Sequence, residues 1–592
     1  MANDDDVTPL VTDDSIPWQG NGRVGLRVWP AIVLIPFIAI AKCLPLMFEE
    51  PTQAIQGIGL FGSAAGAILL IVWWLFASRA SLREKIGGLV GLAVVAGATY
   101  LLLDPTMRSF MVMVFAVPVG MAAFAFPLVG LSKSPRRVPY ALALSMVGFG
   151  FWGLLQFGGV SGMFAFAFDW RWNPSTEDRY LASLSERRDV EMRLPDADTG
   201  EPITTVMAQW PGFRGANRNG VVRGVKLATD WKTSPPKEVW RRLIGPGWSS
   251  FAIAGDLLFT QEQRGEDETI VCLDATTGEP RWTRTHAARF FEGIGGAGPR
   301  GTPTIGDGVL YALGAEGQLA ALDPRTGTEV WTRELRQDAD RKPPMWGWSS
   351  SPLLVDDLVI VHAGGEGDKG LLAYDATTGE PAWSSPSGDD SYSSPHLATL
   401  CGMEGVLMVT DAGIEFLNPS DGSQIWSFDQ PGEGYRILQP LVIEDRVLMG
   451  SSQGSGTYCF KVSRDSDQWQ ASLEWSSRDM KPDFNDFVVY EDYLYGFDSG
   501  ILACVDLKTG EREWKRGRYG KGQLLLLADA GQLLVVSESG DLVLVQATPD
   551  KLIELASINA IEGKTWNHPV LIGNRVYVRN GAEAACFQLP LF

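Results

Sequence analysis

Eight polar residues begin eight similar apolar runs: Ser250, Thr302, Ser351, Ser394, Gln439, Asp486, Gln523 and His568, most of them followed by Pro or Phe. Directly before five of them stand Ser249, Ser350, Ser393, Asn485 and Asn567, and slightly further out come Trp248, Arg300, Trp348, Lys521, Tyr392, Phe484, Trp566 and Arg436. Hydroxyls, amides, aromatic rings and a few charges gathered at one mouth can hold a polar planar ligand or a peptide. Asp486, Lys521 and His568 are of the types that supply acid, base and electrostatic roles. The same set would also serve as polar caps on strand ends around a water-filled channel. Other chemistries drop out. The six cysteines (43, 272, 401, 459, 504 and 586) form no CxxC or CxxCH, and there are only four histidines. This removes zinc ribbons, thioredoxin chemistry and attached haem, and leaves the cysteines as small buried hydrophobes. Gly293-Ile-Gly295-Gly-Ala-Gly298 has the form GxGxxG, but no helix follows it and no βαβ unit contains it, so it is not a dinucleotide site.

The elements that position these residues are written in a repeat. Asp274…Gly278…Trp282 recurs as Asp323…Gly327…Trp331, Asp375…Gly379…Trp383, Asn418…Gly422…Trp426 and Asp506…Gly510…Trp514, with eight residues from Asp or Asn to Trp each time. Asp-x-x-Thr-Gly suits a tight hairpin, where the carboxylate caps the turn amides and Gly takes a positive φ. An apolar run before each turn and a short Trp-ended strand after it make a four-stranded propeller blade. Degenerate copies, marked by Trp475 and by Glu554-Leu-Ala, fill the gaps. The eight polar starts count eight blades. The last lacks an outer strand, and Glu238-Val-Trp-Arg-Arg242 has the missing pattern, so this early strand is expected to close an eight-bladed ring over residues 238–592. The eight starts then form a polar collar round the central channel. Two long loops on that face, 283–299 and 332–347, carry Arg289, Phe290, Phe291, Trp346 and Trp348, which favours a contact surface.

At 592 residues the chain needs more than one domain, and its apolar residues pile up between about 28 and 168. Five stretches have the length of a bilayer crossing, 28–48, 57–78, 86–103, 109–130 and 138–160, giving an expected five-helix transmembrane domain over 28–168. The last continues to Phe168, about 46 Å as helix, enough for one tilted span but not two. Arg23, Arg27, Arg79, Arg83, Lys85, Lys133, Arg136 and Arg137 fall on one side of these spans and Arg108 alone on the other. That places the tail 1–27 in the cytoplasm and the propeller outside, periplasmic or extracellular, on a multi-pass cytoplasmic membrane protein. Lys42, near the outer end of the first span, would snorkel to the headgroups. The mixed-charge stretch from Arg171 to about Thr205, part of a linker and lead-in over 169–237, is read without regular structure. A net charge of -20 and the lack of a basic block exclude nucleic acid as a partner.

The (Ala/Leu)-x-Asp-x-x-Thr-Gly-x-x-x-Trp repeat resembles that of the pyrroloquinoline quinone (PQQ)-like, quinoprotein alcohol dehydrogenase-like propellers, over about residues 238–592. The resemblance implies two functional classes. Quinoprotein dehydrogenases bind PQQ and calcium on the channel axis and oxidise alcohols or sugars, and the membrane-bound ones among them place five spans before an external propeller. The non-enzymatic members, including the lipoprotein subunit of the outer-membrane β-barrel assembly machine, bind proteins. This sequence departs from the enzymes: it has no Cys-Cys pair, no large insertions, and a single collar carboxylate, Asp486, where calcium wants six to eight oxygens. It also departs from the lipoprotein, having helices in place of a lipobox. Trp210 to Gly220, WPGFRGANRNG, resembles the lead-in of envelope PQQ-like repeat proteins, the nearest group. The expectation is a membrane-anchored, non-catalytic scaffold that needs no cofactor and binds a protein partner or small polar ligand on its funnel face. The alternative is a PQQ- and calcium-dependent dehydrogenase that reduces membrane quinone.

Overall fold

The structure is a computed structural model that describes residues 25–48, 55, 57–108, 110–162, 166–191, 208–429, 434–452, 454–466 and 468–592. The expected tail as far as residue 24, with Arg23, and the linker stretch 192–207 lie outside the described residues. The chain divides into two compact units. One runs to Phe157 and includes Phe168–Trp172; the other comprises Gly158–Ala167 and Asn173–Phe592.

Among the described residues of the first unit four helices are long and apolar enough to cross a membrane: Trp29–Met47, Ile58–Ala77, Leu82–Leu102 and Val112–Gly130. The expected count of five is therefore corrected. The fifth stretch forms a helix only over Arg137–Gly150, tightens into a 3-10 turn at Phe151–Leu154 and becomes a strand at Leu155–Val160. Gly150, Gly153, Gly158 and Gly159 crowd its second half and withdraw helix propensity where a span would need it. The helices expose large apolar side chains such as Ile32, Val33, Val90, Val94 and Leu101, as a lipid-facing surface requires. Small residues set the packing. Gly120 lies against Phe149 and Gly148 against Ala123, and Ser145 Oγ donates to Gly120 O at 3.0 Å. Glu84 closes a capping box with Ser81 and also holds the buried Arg137 at 2.8 Å. Lys42 does not snorkel: its Nζ donates to Val114 O at 3.2 Å and lies 3.5 Å from the Phe115 ring centre.

The second unit is an eight-bladed propeller. Blade 1 pairs Ala252–Ala254, Leu257–Arg264, Asp267–Asp274 and Pro280–Ala287 in order. Blades 2 to 7 repeat this antiparallel meander over 304–334, 353–385, 396–428, 441–477, 488–518 and 523–559. Blade 8 supplies three strands within 570–588, and Lys237–Leu243 pairs with Glu583–Gln588 as its fourth, Trp240 opposite Cys586. The ring closes as its repeat pattern implies. Cys272, Cys459, Cys504 and Cys586 are free and buried within the blades.

The eight-residue spacing has a mechanical meaning. At Asp274, Asp323, Asp375, Asn418 and Asp506 the side-chain Oδ1 accepts backbone N–H bonds from the turn, at 2.8 to 3.1 Å. Each turn glycine then has a positive φ, 69 to 74°, at residues 278, 327, 379, 422 and 510. Over it lies the outer-strand indole of the preceding blade, so close that a Cβ would sit 2.4 to 2.6 Å from the ring. The indole N–H donates to a carbonyl in the same turn: Trp240 to Ala275, Trp282 to Pro324, Trp331 to Ala376, Trp383 to Pro419, Trp475 to Leu507 and Trp514 to Thr548, at 2.9 to 3.1 Å. Six of the eight junctions are joined this way. Trp426 faces blade 5, whose outer hairpin runs on to Asp465 without the tight turn, and its N–H has no acceptor among the described residues.

A helix, Thr176–Glu191, lies in the stretch read as unstructured. Ser175 and Asp178 cap it reciprocally at 2.9 and 3.0 Å. Its docking is polar: Tyr180 OH donates to the buried Glu262, and Glu177 pairs with Arg289 at 2.9 Å. No apolar stripe announces such a helix.

Trp282→Phe keeps an aromatic ring but strands the Pro324 carbonyl, and should lower propeller stability by about 1–3 kcal/mol, against about 3–5 kcal/mol for Trp282→Ala. Urea unfolding of the detergent-solubilised chain checks this, and an unchanged midpoint for Trp282→Phe would contradict the role given to the indole bond.

Candidate functional site

Inner strands begin at the channel, where a backbone N–H cannot reach bulk water and needs a partner. The collar residues supply it from blade to blade. Ser250 N donates to Thr302 Oγ1 at 3.0 Å, Thr302 N to Ser351 Oγ at 3.0 Å and Ser351 N to Ser394 Oγ at 2.9 Å. Asp486 N donates to Gln523 Oε1 at 3.3 Å, and Ser250 Oγ donates to His568 O at 2.7 Å across the blade 8 to blade 1 junction. All eight collar side chains are buried.

Below the collar the channel is filled by the chain's own lead-in. Ala208–Trp210 adds to the inner strand of blade 1, and Val221–Val222 adds in parallel to the inner strand of blade 7. The segment between them, Pro211–Gly220, crosses the axis. Arg214 and Arg218 take left-handed backbone angles, φ 59° and 49°, which turn the segment tightly enough to fit. Arg218 donates to Ser351 O and Pro395 O at 3.3 and 3.1 Å, to Thr304 Oγ1, and to Pro352 O. Arg214 donates to Phe487 O at 2.8 Å and Asn219 O at 3.1 Å, and pairs with Asp486 at 3.3 Å. His568 Nε2 lies 2.7 Å from the other Asp486 oxygen, and Phe213 meets the His568 ring edge-on at 5.0 Å. Guanidinium forks suit this place because the converging strands present carbonyls there.

The electrostatics follow the burial. Burial acts to raise the Asp486 pKa, but the Arg214 charge and the His568 bond more than offset it, so the carboxyl stays below its usual range. Burial lowers Arg214, with Asp486 opposing, and brings Arg218 down to about 10, still charged at neutral pH. Burial also lowers His568 against its bond to Asp486.

Above the plug opens a funnel of about 230 Å³, floored by Phe213. Trp248 and Phe484 lie 4.8 Å from Trp566, and Trp346 lies 4.9 Å from Tyr392 and 4.4 Å from Tyr435. Arg300 pairs with Glu292 at 3.2 Å and covers Phe290. Lys564 Nζ sits 4.3 Å from the Trp566 ring centre, and burial brings its pKa down to about 8.

Of the site residues expected from sequence, Trp248, Ser250, Arg300, Thr302, Ser351, Ser394, Asp486, Gln523 and His568 line the funnel. Four others do not. Trp348 is turned inward at Gly347 (φ 71°), packs over Gly317 and donates to Ala363 O at 3.1 Å, so Trp346 takes the place expected of it. Gln439 faces the plug, donating to Arg218 O at 3.3 Å. Asn567 joins blades 8 and 1 through Ser249 O at 2.8 Å. Lys521 pairs with Asp483, which with its backbone bond to Glu538 spends it on the wall rather than on acid–base work. Reading strand starts missed Glu538 and Glu292. Glu538, which holds Trp566 Nε1 at 2.9 Å, follows the end of a strand, and Glu292 lies within a long loop.

PQQ with an axial calcium does not fit these residues. One oxygen of Asp486, the collar's carboxylate, faces a guanidinium and the other an imidazole, and Phe213 covers the axis. A cation there would have to displace Arg214. Among the described residues no cluster of three or more His, Cys, Asp or Glu could hold a metal.

The family model described as outer membrane protein assembly factor BamB matches residues 218–340 and 266–516, half of the chain. Quinoprotein alcohol dehydrogenase PedH of Pseudomonas putida is 29% identical over 137 residues, 22% of each chain. Outer membrane protein assembly factor BamB of Yersinia pestis is 26% identical over 161 residues, 27% of this chain and 36% of that protein. The chain thus spans little more than a third of these relatives at most. Among solved structures, BamB from Moraxella catarrhalis covers 60% of this chain at 17% identity, with a TM-score of 0.44.

Two further buried imidazoles, His362 and His396, are held neutral, their pKa lowered from 6.5 to about 4 and about 3, by burial above all. Between pH 6.5 and about 4 the unfolded chain binds protons that the folded chain refuses. Stability is therefore full above 6.5 and falls with pH by about 1.4 kcal/mol per unit for each group. Unfolding midpoints from pH 7 to 5 should fall accordingly, and His362→Gln should flatten the slope. An unaltered slope would contradict the buried neutral state.

Proposed function

The chain belongs to the PQQ-type repeat family described as outer membrane protein assembly factor BamB, and we propose that this protein is a membrane-anchored binding scaffold without catalytic activity. The observation that carries the proposal is the plugged axis. Asp486, the collar's carboxylate, is spent on Arg214 and His568, and Phe213 floors the funnel, so among the described residues that carboxylate is not free to serve the opening as base or cofactor ligand. What faces it is aromatic surface. A funnel of about 230 Å³ is smaller than the roughly 300–1,000 Å³ of ordinary small-molecule sites and suits one bulky side chain of a protein partner, gripped by rings that bring large contact area at little entropic loss. Kinship with assembly factors favours a protein partner, and local similarity to quinoprotein dehydrogenases makes PQQ-dependent oxidation the reading to be tested against it.

The proposed setting is the cytoplasmic membrane, entered by the four apolar helices, with the basic loops Arg79–Lys85 and Lys133–Arg137 on its cytoplasmic side. Charge bias toward one side of the helices supports it.

Micromolar PQQ with calcium or a lanthanide, added to the solubilised full chain, is expected to give no shift in quinone absorbance and no dye reduction with alcohols or sugars. Saturable binding with turnover lost in Asp486→Asn would overturn the scaffold reading. A photo-crosslinker at Trp346 is expected to capture one defined partner in intact cells.

A further inference from the structure

The plug does not fill the channel evenly. On the side away from the funnel, Pro211–Asn219 forms one wall and the inner strands of blades 2 to 5 the other, leaving a cavity of about 620 Å³ that the funnel reading does not use. Its volume is that of a ligand site.

Three features define what could enter. The first is an unspent donor. His396 lines the cavity and is only 6% exposed. The Gln439 amide nitrogen is fixed by its bond to Arg218 O at 3.3 Å and lies 2.7 Å from His396 Nδ1. A donor there makes Nδ1 the acceptor, so the neutral ring carries its proton on Nε2. Among the described residues no hydrogen bond takes up that N–H, so its acceptor comes from the cavity that His396 lines, as water or as a ligand oxygen. The second is the aliphatic wall made by Ile305, Leu353, Leu397 and Leu441. The third is a rim of carboxylates: Glu404 and Glu444 line the opening and are exposed, and Asp356 and Asp357 stand exposed on the adjoining turn of blade 3.

An anionic ligand would be repelled by the rim, the Arg218 guanidinium in the wall being already held by the Ser351, Pro352 and Pro395 carbonyls, and a simple polyamine would leave the His396 N–H unanswered. A polypeptide with basic side chains answers all three. We propose that this cavity is a second binding site, which takes a basic, Leu- or Val-bearing peptide segment of a protein partner: a backbone carbonyl accepts from His396 Nε2, the aliphatic side chains lie on Leu353, Leu397 and Leu441, and lysine or arginine reaches Glu404 and Glu444. It lies at the far end of the channel from the funnel and does not depend on the funnel's occupant.

The test uses a fluorescein-labelled peptide of alternating Leu and Lys, its Leu/Glu twin and spermidine, with anisotropy read on the solubilised full chain. The Lys peptide is expected to bind and the Glu twin not to bind. Exposed Glu404→Gln with Glu444→Gln should weaken binding at least tenfold and flatten its salt dependence, with an unchanged unfolding midpoint. Leu397→Trp, which fills the cavity, should abolish binding, while Trp346→Ala in the funnel should leave it intact. The proposal is overturned if the Lys peptide does not bind, if it binds equally to the double variant or to Leu397→Trp, or if spermidine competes at equal affinity.

Discussion

Eight strands converge on one axis, and each brings backbone groups into a space too narrow for bulk water. Satisfying those groups is the constraint on which the rest of the molecule depends. Collar hydroxyls and amides answer the N–H groups at one end. Two arginines from outside the blades answer the carbonyls further in; Asp486 balances the charge of Arg214, while Arg218 is held by carbonyls and the Thr304 hydroxyl. A buried Arg–Asp–His cluster is weak evidence for stability, since desolvation offsets most of its attraction. What it does fix is specificity of shape: the lead-in must cross between blades 1 and 7, and the funnel must end at Phe213. The site's chemistry is therefore a consequence of closing the ring, not an addition to it.

Around that axis the blades are held head to tail by the outer indoles. The arrangement explains why Trp and the turn glycine recur at fixed spacing: one supplies a ring and a donor, and the other the only residue without a Cβ to obstruct it. The 4/5 junction, where Trp426 lacks this bond, instead packs Phe416 against Trp469 at 5.9 Å between centroids, so that hydrophobic contact replaces the hydrogen bond.

Much of this was legible in the sequence. The Asp-to-Trp interval and the polar strand starts gave eight blades, and the strand about Trp240 was the evident closure, because local turn chemistry and apolar runs are properties of short segments. The destinations of Arg214 and Arg218 were not legible, since they depend on where an axis lies that exists only once the ring is closed. Trp348 and Trp346 exchanged places through one glycine turn, a difference of direction that spacing does not carry. The helix Thr176–Glu191 docks through Tyr180 and Glu177 and so shows no apolar periodicity, and the last apolar stretch ended early because its glycines outweighed its hydropathy.

Amide hydrogen exchange across Pro211–Gly220 tests the plugged axis most directly. If the lead-in is a permanent part of the closed ring, the amides of Gly215, Arg218 and Gly220, bonded within the segment at 3.0 to 3.1 Å, should exchange as slowly as those of the inner strands of blades 1 and 7. Exchange within seconds, while those strands remain protected, would mean that the channel is open and that the account of the site is wrong.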